Sequence, residues 1–210
     1  MFSQIPPVVV LCCFPPEPFE SAALWMCSPV YRIYLLKSSL SLSSQQTVMQ
    51  YQLSNDLPSA PPFRLFPTVE RDSGGRLLMY MKLRCDLPPK TAAINVCATV
   101  PVPKGSVSLS QELSSPDQSS ELKPQSRAVV WQIPRFPGGT QLCAVFKLEV
   151  AGLSSASLLE VGPVGLSFEL PKVTATGLQI RFLRLSPVQP GPAQRWVRYV
   201  THSDSYTLRM

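Results

Sequence analysis

"RLLMYMKLRCD", residues 76–86, decides the fold. Leu77, Met79, Met81 and Leu83 alternate with Leu78, Tyr80, Lys82 and Arg84. Side chains alternate between the faces of a β-strand, so this is a strand with one apolar face and one mixed face. A helix would need apolar residues three and four apart, and that spacing is absent here.

The same signal extends outward in both directions. Upstream, "PFRLFPTV" is strand-like and the turn text "ERDSGG" joins it to residues 76–86. Downstream, "AAINVCATVPVP" predicts Ile94, Val96, Ala98 and Val100 on one face. "RAVVWQIPRF", the turn "PGGT" and "QLCAVFKLEV" predict a hairpin-like pair. "TVMQYQLS", "GLSFELP", "GLQIRFLRL" and "RWVRYVT" complete the strand series. "SQELSSPDQSSELKPQS" and "SPVQPGPAQ" read as polar or proline-rich loops. No stretch longer than about ten residues keeps helical spacing. The expected architecture is all-β, an antiparallel β-sandwich.

Composition agrees with that class. The chain has 210 residues, 45% hydrophobic and 15% charged, which is enough apolar text for a core. Its 23 prolines outnumber its 10 glycines, and proline is poorly tolerated inside helices. Residues 1–46 differ from the rest. Proline-punctuated apolar runs precede a serine tract, and no period is sustained. Weak structure is expected there, with one short strand around Tyr31–Leu36.

Several function classes lack their residues. The only histidine, His202, stands beside Ser203 and Asp204 in "THSDSY". Triad members come from separate segments, so this text reads as a hairpin turn and not a catalytic site. "DSGG" and "PGGT" lack the Gly-Lys-Ser/Thr ending of a phosphate loop. No two of the six cysteines have Cys-x-x-Cys spacing, so neither a zinc site nor a compact disulfide framework is expected. Cys85, Cys97 and Cys143 fall in strand-like runs and read as small core residues of a reducing compartment. No enzyme activity and no cofactor are expected. The run "VVVLCCF" is far short of a membrane span and has no basic leader, which points to the cytosol.

Net charge is +6. After residue 173, Arg181, Arg184, Arg195, Arg198 and Arg209 stand against the single acid Asp204, a local balance of +4 in 37 residues. Such a field attracts acidic peptides, acidic lipid or nucleic acid. Nucleic acid is set aside, because the aromatic-glycine signature of an RNA-binding sheet is missing. Within this region "RWVRY" is unusual. Trp196, Arg198 and Val200 share one face of a strand, and Arg195, Val197 and Tyr199 share the other. Each face mixes apolar with cationic, unlike a core strand or a plain solvated edge.

"GLQIRFLRL", a variable loop and "WVRYVTHSDSYTLR" resemble the closing strands of the mu homology domain. That domain ends the medium (mu) subunits of heterotetrameric vesicle-coat adaptor complexes. "MQYQLSNDLPSAPPFRLFP" resembles the tract where the family chain passes between two sub-sandwiches. "MKLRCDL", "VSLSQELSSP", "SFELP" and "THSDSY" are similar to the medium subunits of adaptor complex four. The resemblance runs from about Thr47 to Met210.

It implies an elongated two-part antiparallel β-sandwich, a partial mu homology domain. A part at 62–173 would be inserted into a parent part made of 47–61 and 174–210, after a poorly ordered, non-family segment 1–46. It also implies binding of tyrosine-based sorting signals, Tyr-x-x-Φ with Φ bulky and apolar, in cytosolic tails of transmembrane cargo. Such a peptide joins the edge at "RWVRY" by β-augmentation. Trp196 and Arg198 match residues beside the signal tyrosine, and Val197, Ile180 and Leu183 match the Φ pocket. Other adaptor subunits and an acidic lipid surface are the further partners. Trans-Golgi, endosomal and coated-vesicle membranes are the implied sites of action. The family's amino-terminal docking domain and first mu-homology strands, with an aspartate and a lysine for the tyrosine hydroxyl, have no counterpart in residues 1–46. The chain therefore resembles an amino-terminally truncated product, and the alternative readings are a structural fragment without independent cargo binding or a basic module that docks on an acidic membrane surface. In a second family groove for acidic tyrosine signals, an arginine is matched by Gln50.

Overall fold

Burial along residues 77–85 alternates as the sequence requires: Leu77, Met79, Met81, Leu83 and Cys85 are at most 1% exposed. Burying each large side chain contributes roughly 1.5–3 kcal/mol relative to leaving it in water. The computed structural model describes residues 21–27, 34–38, 61–154, 158, 160–174, 179–186 and 198–209. Apart from the single helical residue Leu158, the regular structure among these is all strand, and each defined register is antiparallel.

In chain order the strands are β1 (Ser21–Cys27), β2 (Tyr34–Ser38), β3 (Phe63–Arg71), β4 (Leu77–Cys85), β5 (Ala92–Pro101), β6 (Ser106–Leu113), β7 (Ser119–Lys123), β8 (Ala128–Pro137), β9 (Gln141–Val150), β10 (Val164–Pro171), β11 (Gln179–Ser186) and β12 (Val200–Leu208). They form a five-stranded sheet, β12-β10-β5-β8-β7, a four-stranded sheet, β3-β4-β9-β6, and a three-stranded sheet, β11-β1-β2. The chain divides into two compact units. One comprises Met1–Pro6, Ala60–Glu169 and Ser203–Met210, the other Pro7–Ser59 and Leu170–His202.

The first unit is a sandwich of the five- and four-stranded sheets. Phe63 on β3 meets Phe136, Phe168 and Tyr206 on the facing sheet, with ring centroids 5.7, 4.8 and 6.4 Å apart. Trp131 meets Phe146 edge-on at 6.1 Å. The Trp131 indole N–H is buried and donates to Gln118 Oε1 at 3.0 Å, as a buried donor requires.

The "ERDSGG" turn joins β3 to β4 as expected. Arg76 donates its main-chain N–H to Asp72 Oδ1 and its Nε to Asp72 Oδ2, both at 2.8 Å. Gly75 takes a left-handed φ of 79°, which costs glycine little.

The "PGGT" expectation is corrected. β8 and β9 are consecutive but do not pair: β8 lies in the five-stranded sheet and β9 in the four-stranded one. The turn passes from one layer to the other, held by Gly138 N–H to Thr91 O at 2.8 Å and Gly139 N–H to Cys85 O at 2.9 Å. Gly138 is packed so closely that a Cβ would lie 2.2 Å from Pro88 O.

The loop expected at residues 110–126 is also corrected. It contains the end of β6 and all of β7, which are edge strands of the two sheets. Their faces are largely solvated, so polar residues are tolerated and apolar alternation is weak.

In β5 the buried set is Ala93, Val96, Ala98 and Val100, with Ile94 half-buried. The parity slips at Asn95, whose φ is 53°, a conformation asparagine tolerates better than most residues. β5 carries one extra residue against β10 at this point. Opposite, β8 slips in the same place, burying Ile133 and then Phe136. The pairs Ala93↔Phe136 and Val96↔Ile133 are thereby kept.

Residues 1–46 contain more strand than expected. β2 overlaps the anticipated Tyr31–Leu36, and β1 was not anticipated. "TVMQYQLS", "SPVQPGPAQ" after Ser186 and Gln50 lie outside the described residues.

Candidate functional site

Two of the five sequence-selected residues, Ile180 and Leu183, lie on β11. Their Cα partners on β1 are Met26 and Leu24. Trp196 and Val197 lie outside the described residues. Arg198 is exposed and stands two residues before β12, not within a strand. Around it the main chain is well tied. Tyr199 C=O accepts the Lys172 N–H at 2.8 Å, and Thr201 Oγ1 donates to Val173 O at 2.7 Å. Lys172 supplies a left-handed turn residue, φ 63°. Ile180 and Leu183 thus share a strand, and Arg198 lies on a separate segment of the same unit.

The "THSDSY" text is not a turn: His202, Ser203 and Asp204 lie inside β12. Adjacent residues on a strand belong to opposite faces, so a triad from these neighbours is ruled out by backbone geometry as well. Ser203 is 1% exposed and its Oγ has no hydrogen-bond partner.

A second charged cluster escaped the sequence reading, which weighed only the carboxy-terminal arginines. β3 and β4 pair Arg64 with Arg84. Both guanidiniums bind the Asp86 carboxylate: Arg64 through Nε and through Nη2 at 2.9 Å, Arg84 through Nε at 2.8 Å. The hydrogen bond from Arg64, opposed by desolvation and aided by the charges of Arg64 and Arg84, holds the Asp86 carboxyl below its ordinary range. The pairing could have been read from the "ERDSGG" hairpin, since its register fixes which residues face each other. Phe66, on the same mixed face, is 50% exposed.

Cysteine placement meets the expectation of a core residue at Cys85 and departs from it at Cys97 and Cys143. Cys85 is buried, and burial pushes its thiol pKa up. Cys97 is half-buried and Cys143 exposed, because Cys143 falls on the outer parity of β9. A cavity of about 480 Å³ is lined by Pro101, Val102, Lys104, Ser126, Arg127 and Glu160. Among the described residues no group of three His, Cys, Asp or Glu side chains could hold a metal ion, and no helix is long and apolar enough to cross a membrane.

A profile of the adaptor complexes medium subunit family matches residues 34–210. The chain belongs to this family. It is 53% identical over 175 residues to the AP-4 complex subunit mu-1 of Bos taurus, a match covering 78% of this chain and 38% of that protein. It is 52% identical over 176 residues to the AP-4 complex subunit mu-1 of Homo sapiens, with the same coverage. The chain thus spans well under half the length of these relatives, 38%. Among solved structures, the yeast delta-COP-I mu-homology domain superposes with a TM-score of 0.45 at 16% identity, covering 58% of this chain and 47% of that one.

Proposed function

We propose that this chain is a cargo-recognition module of a vesicle-coat adaptor complex. It reads Tyr-x-x-Φ sorting signals in the cytosolic tails of transmembrane proteins. The observation that carries the reading is the family match over residues 34–210, which takes in Ile180, Leu183, Trp196, Val197 and Arg198. In this reading the peptide adds as a strand along residues 196–198, where main-chain bonds give affinity and side-chain pockets give specificity. Tyr199 C=O already accepts from Lys172, so the peptide pairs before it. Arg198 is exposed and lies over the signal tyrosine, a cation–π contact worth roughly 0.5–2 kcal/mol. Trp196 flanks that ring, and Val197, Ile180 and Leu183 take Φ.

The module works beside the other subunits of a heterotetramer, peripherally on trans-Golgi or endosomal membranes. The division into a part 62–173 inserted between 47–61 and 174–210 belongs to the same proposal, and limited proteolysis cutting first near residues 55–61 and 174–178 would support it.

Titration calorimetry with a Tyr-x-x-Φ peptide tests the function. Saturable binding that disappears when the peptide tyrosine becomes alanine is expected. Arg198→Ala weakens it, and Arg209→Ala, off the peptide strand, leaves it unchanged. No binding, or indifference to Arg198→Ala, overturns the reading.

A further inference from the structure

The family match begins at residue 34. β1, at Ser21–Cys27, lies wholly before it. Yet β1 is the central strand of the three-stranded sheet, between β11 and β2. From Ser21↔Ser186 to Trp25↔Phe182 its pairing with β11 is regular, residue for residue. Then the register slips. Met26 faces Ile180 and Cys27 faces Gln179, so β11 has one extra residue, Arg181, opposite the Trp25–Met26 step.

The slip changes parity. Positions an odd number apart fall on opposite faces of a regular strand, and Ile180 and Leu183 are three apart. One bulged residue shifts the parity by one and returns the two positions to a common face. The partner strand carries the same information: Met26 and Leu24, which face Ile180 and Leu183, are two apart.

We infer that β1 is a positioning strand for the peptide site. By pairing with β11 in this register it holds the bulge at Arg181 that gives Ile180 and Leu183 one face. The inference rests on the proposed reading of those two residues as contacts of Φ, and it assigns β1 no contact with the peptide. A segment outside the family match thus completes the scaffold of a site inside it.

Two measurements on the full chain test this. Facing antiparallel positions hold their Cα atoms about 4.5–5.5 Å apart, within disulfide reach of about 4.4–6.8 Å. Mild oxidation of the Gln179→Cys variant, followed by peptide mapping, is expected to join position 179 to Cys27. Linkage instead to Cys12 or Cys13, or none, overturns the inference. Next, Arg181 is deleted in the Gln179→Cys background. Binding of a Tyr-x-x-Φ peptide is expected to fall by at least about tenfold, the loss of one buried apolar contact, while the link to Cys27 still forms. Unchanged affinity overturns the positioning role. A chain that forms the link but binds no such peptide overturns the peptide reading, and with it the site that β1 would serve. A chain that binds the peptide without forming the link overturns the role of β1 alone.

Discussion

The phenol of Tyr206 on β12 donates to the carbonyl oxygen of Phe63 on β3 at 3.0 Å, inside the aromatic cluster that joins the two sheets of the sandwich. Burial pushes the phenol pKa up from 10 to about 12. Tyr206→Phe leaves the carbonyl without this donor and is expected to cost about 1–2 kcal/mol in urea unfolding at neutral pH. The folded pKa lies above the unfolded one, so the contribution is complete below pH 10 and is lost as pH rises toward about 12. The variant's stability should therefore fall less steeply than the native chain's across that window. Parallel curves would show that Tyr206 does not titrate in the folded state as argued.

Asp86 works at the other end of the pH scale. Its carboxyl lies below the ordinary 3.8 because Arg64 and then Arg84 favour the charged form. A depressed folded pKa contributes stability above the unfolded value and loses it as pH falls through the folded one. Asp86→Asn should flatten the acid limb of a melting-temperature profile below about pH 4. The effect will be small, since the arginine side chains are 57% and 50% exposed and solvent screens the pair. An acid limb identical to that of the native chain would count against the bridge.

Ser203 presents the opposite case, a buried hydroxyl with nothing to bond. Ser203→Ala removes a polar group that folding strips of water, so it should leave stability unchanged or raise it by up to about 1 kcal/mol. Thr201→Val is the contrast, because it removes the 2.7 Å bond to Val173 O and should destabilise. Thermal unfolding of both variants checks the sign. A destabilised Ser203→Ala chain would mean that the hydroxyl has a partner.

Gly138→Ala should be damaging although the change is one methyl group. The new Cβ would stand 2.2 Å from Pro88 O and 2.6 Å from Leu87 O, both main-chain atoms that cannot swing aside. Overpacking of this kind costs roughly 1–3 kcal/mol. Denaturant midpoints would show it, and a midpoint equal to the native one would mean that the crossing between sheets is looser than described.

The sequence by itself determined the strand class and much of the core. Leu77, Met79, Met81 and Leu83 alternate with solvent-facing residues, and alternation is a local property that needs no partner. The Asp72–Gly75 turn is equally local, since its bonds close within five residues. The text near the carboxy terminus likewise pointed to the family, and the residues chosen from it, Ile180, Leu183 and Arg198, belong to the proposed site. Trp196 and Val197 were selected with them and lie outside the described residues. Tertiary structure decided what local text cannot encode, namely which strand pairs with which. "RFPGGTQL" reads as a hairpin, yet Phe136 and Leu142 fall in different sheets, because the facing layers each needed a strand to bury against the other. The end of β6 and all of β7 look like loops, since an edge strand is held by main-chain bonds and needs few apolar residues. The slip at Asn95 and the bulge at Arg181 each move one residue past its partner. Such a step is invisible until the neighbouring strand is in place, and at Asn95 it decides whether Ala93 or Ile94 enters the core.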